Sequence, residues 1–165
     1  MAEAKGNHAP IRQSVHVDCP IEDAFLLFTE RFAEWWPLAS CSISGEEAEK
    51  CAIEPWVGGR VFERTRSGEE LEWGSVIAFD PPVRLEFTWH PDGPGDRSQT
   101  VDVQFQVEAD GTRVTLIHTG WDVPGVMACA LHADYTESWP AIRRICFAAN
   151  TLLVSKNVTN SFESR

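Results

Sequence analysis

From Val101 to Val107 apolar residues alternate strictly with polar ones: Val101, Val103, Phe105 and Val107 stand against Asp102, Gln104 and Gln106. That two-residue period belongs to a strand with one buried face. After Asp110-Gly111, a pair suited to a tight hairpin turn, Val114, Leu116 and His118 keep the same inward parity. Near the start, Ile11, Gln13, Val15 and Val17 share one face, which predicts a first strand over 11–17. Between these segments Gly58-Gly59, Ser67-Gly68, Asp80-Pro81-Pro82 and the Pro/Gly/Asp-rich stretch 91–96 act as punctuation. They mark out strands at 41–46, 50–55, 60–66, 70–79, 83–90, 99–108 and 112–119, joined by short turns as an antiparallel meander. Gly74, inside the strand at 70–79, is expected to mark a bulge that bends the sheet.

Helical spacing occurs in two places. Ile21, Ala24, Phe25, Phe28 and Phe32 form one apolar stripe. Pro20 suits the first helical position, and Glu22 and Asp23 suit the positive N-terminal end. This helix is predicted to break near Thr29 and to stop at Trp35-Trp36-Pro37, because the residue before proline resists helical geometry. The second is a long helix over 135–154, with Trp139, Ile142, Cys146, Ala149 and Leu153 on one face and Ile145 and Leu152 beside it. The prediction is an α+β helix-grip fold: a curved antiparallel sheet of six to seven strands around a long C-terminal helix, with two short helices after strand 1. Residues 1–10 read as a frayed leader, 11–154 as a single domain, and 155–165 as a polar tail.

Composition narrows the function. The chain of 165 residues carries a net charge of -11 and only three lysines, Lys5, Lys50 and Lys156. It therefore lacks the basic footprint that nucleic-acid binding requires. Five cysteines form no Cys-x-x-Cys pair, and no secretory signal or membrane-length apolar run appears, so reduced thiols and a cytoplasmic location are expected. The histidines and cysteines lack metal-ligand spacing, and no phosphate loop or nucleophile elbow is present, so no metal or cofactor is expected. Seven tryptophans and nine phenylalanines against one tyrosine point to a core or a cavity lined with large rings.

Several short motifs occur in a fixed order. They are Pro20 with Glu22-Asp23-Ala24-Phe25, Trp35-Trp36, and Glu54-Pro55-Trp56-Val57-Gly58-Gly59-Arg60-Val61-Phe62-Glu63. Trp73-Gly74-Ser75-Val76, Asp80-Pro81-Pro82-Val83-Arg84-Leu85 and Phe87-Thr88-Trp89 follow. Gly111-Thr112-Arg113-Val114-Thr115-Leu116 and His118-Thr119-Gly120-Trp121 complete the series. In this order the chain resembles the SRPBCC (START-like) superfamily over roughly 11–154, and within it the family homologous to the activator of the heat-shock protein 90 ATPase. The resemblance implies a space between sheet and C-terminal helix, and it spans ligand carriers, cyclases and co-chaperones.

The expected ligand is a small hydrophobic molecule: a lipid, a polyketide or an aromatic metabolite. The candidate cavity residues are Phe32, Trp36, Trp56, Phe62, Arg64, Trp73, Phe87, Trp89, Phe105, His118, Trp121, Trp139, Ile142 and Cys146. Each ring taken alone is equally compatible with ordinary core. His118 is either a core histidine satisfied by a hydrogen bond or, in a polyketide cyclase or dehydratase, an acid–base group working with an inward carboxylate. Glu63, Arg64, Glu72 and Glu86 fall on central strands, where any inward charge would need a partner. Arg64 opposite Glu72 across the Ser67-Gly68 hairpin is a geometrically possible pair, and a solvated ion pair on the outer face is the plainer arrangement. A protein-interaction role, as chaperone regulator or homodimer, would show as an exposed apolar patch at Trp35-Trp36 or Trp56.

Overall fold

A computed structural model describes residues 9–38, 41–90, 99–120 and 145. Seven antiparallel strands form one sheet: β1 (Ile11–Val17), β2 (Ala48–Ile53), β3 (Arg60–Thr65), β4 (Glu70–Asp80), β5 (Arg84–Trp89), β6 (Gln99–Glu108) and β7 (Gly111–Thr119). Their spatial order is β1-β7-β6-β5-β4-β3-β2. The meander from β2 to β7 thus runs neighbour to neighbour, and β1 closes onto β7 with Val15 opposite Val114.

Alternation decides the two faces. Val101, Val103 and Phe105 of β6, and Val114, Leu116 and His118 of β7, are buried on the concave side, as their sequence parity requires. Leu85, Phe87 and Trp89 of β5 join them. Fully burying one such side chain stabilises the fold by about 1.5–3 kcal/mol relative to leaving it exposed. The convex face carries charge ladders instead, including Arg84 between Asp102 and Glu86.

The sheet curls through three register shifts, in β2/β3 near Lys50, in β3/β4 at Val61/Phe62, and in β4/β5 between Val76 and Ala78. The middle one is the bulge expected at Gly74. Val61 pairs with Gly74 and Phe62 with Glu72, which leaves Trp73 as the extra residue. Only glycine fits there, because a β-carbon on Gly74 would lie 1.7 Å from the Thr88 carbonyl oxygen.

Helix α1 (Ile21–Phe28) lays Ala24, Phe25, Leu27 and Phe28 into the core. Pro20 stands one position earlier than expected, at the N-cap, where its carbonyl accepts from Ala24 N at 3.0 Å. The helix breaks at Thr29, whose hydroxyl donates to the Phe25 carbonyl at 2.8 Å while its own backbone leaves helical geometry. A single 3₁₀ turn, Phe32–Glu34, carries the chain on to Trp35 and Trp36.

One expected strand is absent. Residues 41–46 are irregular and run into a second 3₁₀ turn, Gly45–Glu47. The backbone N–H groups of Ile43 and Ser44 go to the Glu63 carboxylate, so they are not available to a neighbouring strand. The long helix at 135–154 lies outside the described residues except for Ile145, which is helical and fully buried in the core cluster.

Candidate functional site

The bulge turns Trp73 into the concave face, where it meets rings from two other parts of the chain. Phe32 and Trp36 arrive from the 3₁₀ turn after α1, and Phe87 and Trp89 from alternate positions of β5. Ring centroids are 4.9 Å apart for Phe32–Trp36, 5.5 Å for Trp36–Trp73, 5.7 Å for Trp73–Trp89 and 6.0 Å for Phe87–Trp89. Tilted and edge-on contacts of this kind contribute about 0.5–1.5 kcal/mol each beyond area burial. Trp36 is half-buried and the other four are buried, so these rings form one continuous aromatic wall. A second cluster, Phe25, Phe28 and Phe105, fills the space under α1, with Phe25–Phe105 at 5.1 Å. Of the expected cavity residues, Phe32, Trp36, Trp73, Phe87 and Trp89 are therefore brought together, with Phe105 further along the same face.

Among the described residues, a histidine and a carboxylate lie fully buried on this face. His118 has Nε2 2.7 Å from Oε1 of Gln99, so that ring nitrogen carries the proton and donates. Glu63, the inward carboxylate whose orientation the sequence left open, faces inward between Val61 and Thr65. Its oxygens accept from Ile43 N at 2.8 Å, Ser44 N at 2.7 Å, Ser44 Oγ, and Trp73 Nε1 at 2.9 Å. Next to it in register, Cys51 is buried, and its thiol is pushed up to about 12, first by burial and then by the charge of Glu63. That thiol stays protonated and unreactive. Glu63 and His118 sit on strands four positions apart in the sheet, and none of the Glu63 hydrogen bonds runs to His118.

Three expected cavity residues are elsewhere. Phe62 faces the convex side, because Val61 and Glu63 take the inward positions; the Arg60 guanidinium covers its ring at 4.3 Å. Arg64 shares that face and pairs with Glu70, its register partner, where the sequence pattern had suggested Glu72. Arg60 joins them and also grips Glu54, which holds both carboxylates below their ordinary range. Trp56 lies in the β2–β3 turn and is 54% exposed beside Val57, whereas Trp35 is buried and donates to the Leu27 carbonyl at 2.8 Å. Trp121, Trp139, Ile142 and Cys146 lie outside the described residues.

Gln99 was not anticipated. Its parity with Val101 on β6 was a usable signal, but a polar residue at a strand end reads as solvated. Among the described residues no three His, Cys, Asp or Glu side chains are grouped to hold a metal ion. A separate groove of about 480 Å³ lies between the β1–α1 link and the β6–β7 turn, lined by residues that include Cys19, Ile21, Glu22 and Val107. It holds none of the expected site residues. No described helix is long and apolar enough to cross a membrane.

A curled seven-stranded antiparallel sheet with α1 packed against it fits the SRPBCC superfamily. Residues 18–142 match the family described as Activator of Hsp90 ATPase homolog 1-like protein. The chain belongs to that family.

No curated protein matches the sequence. Among solved structures, the anthrahydroquino-gama-pyrone synthase Txn09, complexed with SUM, is 35% identical, with a TM-score of 0.54 over 80% of this chain and 88% of the other. Protein MLL2253 from Mesorhizobium loti is 16% identical, with a TM-score of 0.63 over 86% and 96% of the two chains. DynU16, a putative protein in the dynemicin biosynthetic locus, is 17% identical with a TM-score of 0.59; the match covers 87% of this chain and 48% of that one. The last two are likenesses of fold.

Proposed function

We propose that the chain binds a small, flat, largely aromatic molecule on the concave face of its sheet. The observation that carries this reading is the wall formed by Phe32, Trp36, Trp73, Phe87 and Trp89, which presents several ring faces and edges side by side. Such a surface offers area and stacking to a planar ligand while giving up little side-chain entropy, because the rings already hold one another in place. Phe105 extends the apolar surface, and His118 with Gln99 supplies a polar anchor for a ligand carbonyl or hydroxyl.

The test is a tryptophan-fluorescence titration with alizarin, a hydroxyanthraquinone, on the wild type and on Trp36→Ala. Saturable quenching with a Kd of about 1–100 μM, weakened at least roughly tenfold by the substitution, supports binding at the wall. Linear quenching that is identical in both proteins removes it.

A second reading makes the same site catalytic, favoured by the 35% identity to a synthase. Here the wall holds an aromatic polyketide folded for ring closure. Positioning of this sort supplies much of a barrier reduction, so few reacting groups are needed. His118 would move the proton, with Gln99 fixing its tautomer. Glu63 is not its acid–base partner, given the four hydrogen-bond donors that already fill its oxygens. Incubation with an aryl polyketide precursor should give a product one water lighter, and His118→Gln should slow its appearance by about 100-fold. Equal rates with and without protein would leave binding alone.

A further inference from the structure

Glu63 is a buried charge in a wall otherwise made of rings, and its acceptor positions are filled. A carboxylate offers about four lone-pair sites, and four donors point at this one. It has no site left for a ligand. Its charge is spent on these four donors, two of them backbone N–H groups that would be left unsatisfied without it. What the charge adds is direction.

Three of the four donors belong to Ile43 and Ser44, and the fourth is the indole of Trp73. The segment 41–44 is fastened from its other end as well, because Trp36 Nε1 donates to the Cys41 carbonyl at 2.9 Å. It therefore hangs between two indoles of the aromatic wall whose centroids are 5.5 Å apart. Ile43 is 45% exposed, which places the segment at the rim of the wall.

We infer that Glu63 is a positioning residue for the ligand-binding face: it sets the indole plane of Trp73 and latches the 41–44 segment along the rim. This inference rests on the binding reading above. It separates His118 and Glu63 by task, with His118 addressing the ligand and Glu63 addressing the wall. Movement of either indole on ligand binding is transmitted to the rim segment through these same hydrogen bonds.

The test is Glu63→Gln. The amide keeps the volume, but its NH₂ cannot accept, so one pair of donors loses its partner. In the folded variant the amide of Ile43 or that of Ser44, whichever faces the new NH₂, should exchange at least about tenfold faster while β6 and β7 keep their protection. The near-ultraviolet tryptophan band should change, and alizarin affinity should fall about tenfold with a melt that stays cooperative. If E63Q does not fold, Ser44→Ala carries the test: it removes one donor, leaves the carboxylate and the wall intact, and should weaken alizarin roughly threefold. Wild-type affinity in a folded E63Q, or in S44A where E63Q fails, overturns the inference and leaves the binding reading standing. A wild type that does not bind alizarin overturns both.

Discussion

Gly74→Ala is the substitution on which the curvature of the sheet turns. The added β-carbon would lie 1.7 Å from the carbonyl oxygen of Thr88 and 2.7 Å from its carbonyl carbon. Carbon–oxygen contacts normally begin near about 3.3 Å, so β4 and β5 would have to part by roughly 1.5 Å at this point. Hydrogen bonds do not stretch that far. Two are at risk: Ser75 N to Thr88 Oγ1 at 2.9 Å and His90 N to the Trp73 carbonyl at 2.6 Å. Each contributes about 1 kcal/mol, and overpacking adds about 1–3 kcal/mol, giving a loss of about 3–5 kcal/mol. For a chain of this size that lowers Tm by roughly 10 °C. Gly68→Ala is the control, because Gly68 has φ +91 but open space around its β-carbon, so only the conformational cost of about 1–2 kcal/mol applies. Urea unfolding followed by circular dichroism measures both. A G74A loss no larger than that of G68A would refute the close approach of the two strands.

Other expectations follow from single features. In native protein, iodoacetamide should modify Cys41 and spare Cys19 and Cys51, which are buried, the latter with its thiol pushed up to about 12; mass mapping that finds Cys51 alkylated before Cys41 would contradict this. His16 sits between Glu108 and Asp18 and is raised above its ordinary 6.5, mainly by the Glu108 hydrogen bond. The stabilisation it gives is therefore complete below about pH 6.5 and lost as pH rises through the raised value. Glu108, held low by Arg113 and then His16, acts in the opposite sense: its share is present above its ordinary 4.5 and lost as pH falls through the lowered value. The Tm difference between wild type and His16→Gln should accordingly be widest near about pH 5–6 and close by about pH 9; a constant difference would exclude the link. Trp56→Gln should change unfolding free energy by less than about 0.5 kcal/mol, because the side chain is mostly exposed. A larger loss in urea unfolding would show that Trp56 packs more than its exposure indicates.

Strand parity was legible because β6 and β7 face solvent on one side only, so residue type declares the face except at the end of β6, where Val107 is 67% exposed. The bulge at Gly74 was legible for a related reason, as a glycine inside an apolar strand needs a cause. Residues 41–46 misled because Cys41, Ile43 and the polar residues between them alternate like a strand. Their N–H groups go to Glu63, twenty residues further on, and alternation carries no sign of a long-range carboxylate. Phe62 misled in the opposite way. As an aromatic ring it reads as cavity wall, but strand parity gives the inward positions to Val61 and Glu63, and the buried ring is covered by Arg60 on the convex side. For the site, ring types were readable one by one. Their assembly was not, because Trp36, Trp73 and Trp89 meet only through a bulge and a helix break.

The central claim, a ligand on the aromatic wall, is tested most directly by the indole N–H resonances of ¹⁵N-tryptophan-labelled protein titrated with alizarin. Of the seven tryptophans, Trp36, Trp73 and Trp89 should shift together and saturate together, while exposed Trp56 stays in place. Shifts confined to Trp56, or no shift at the three wall residues at saturating alizarin, would contradict it.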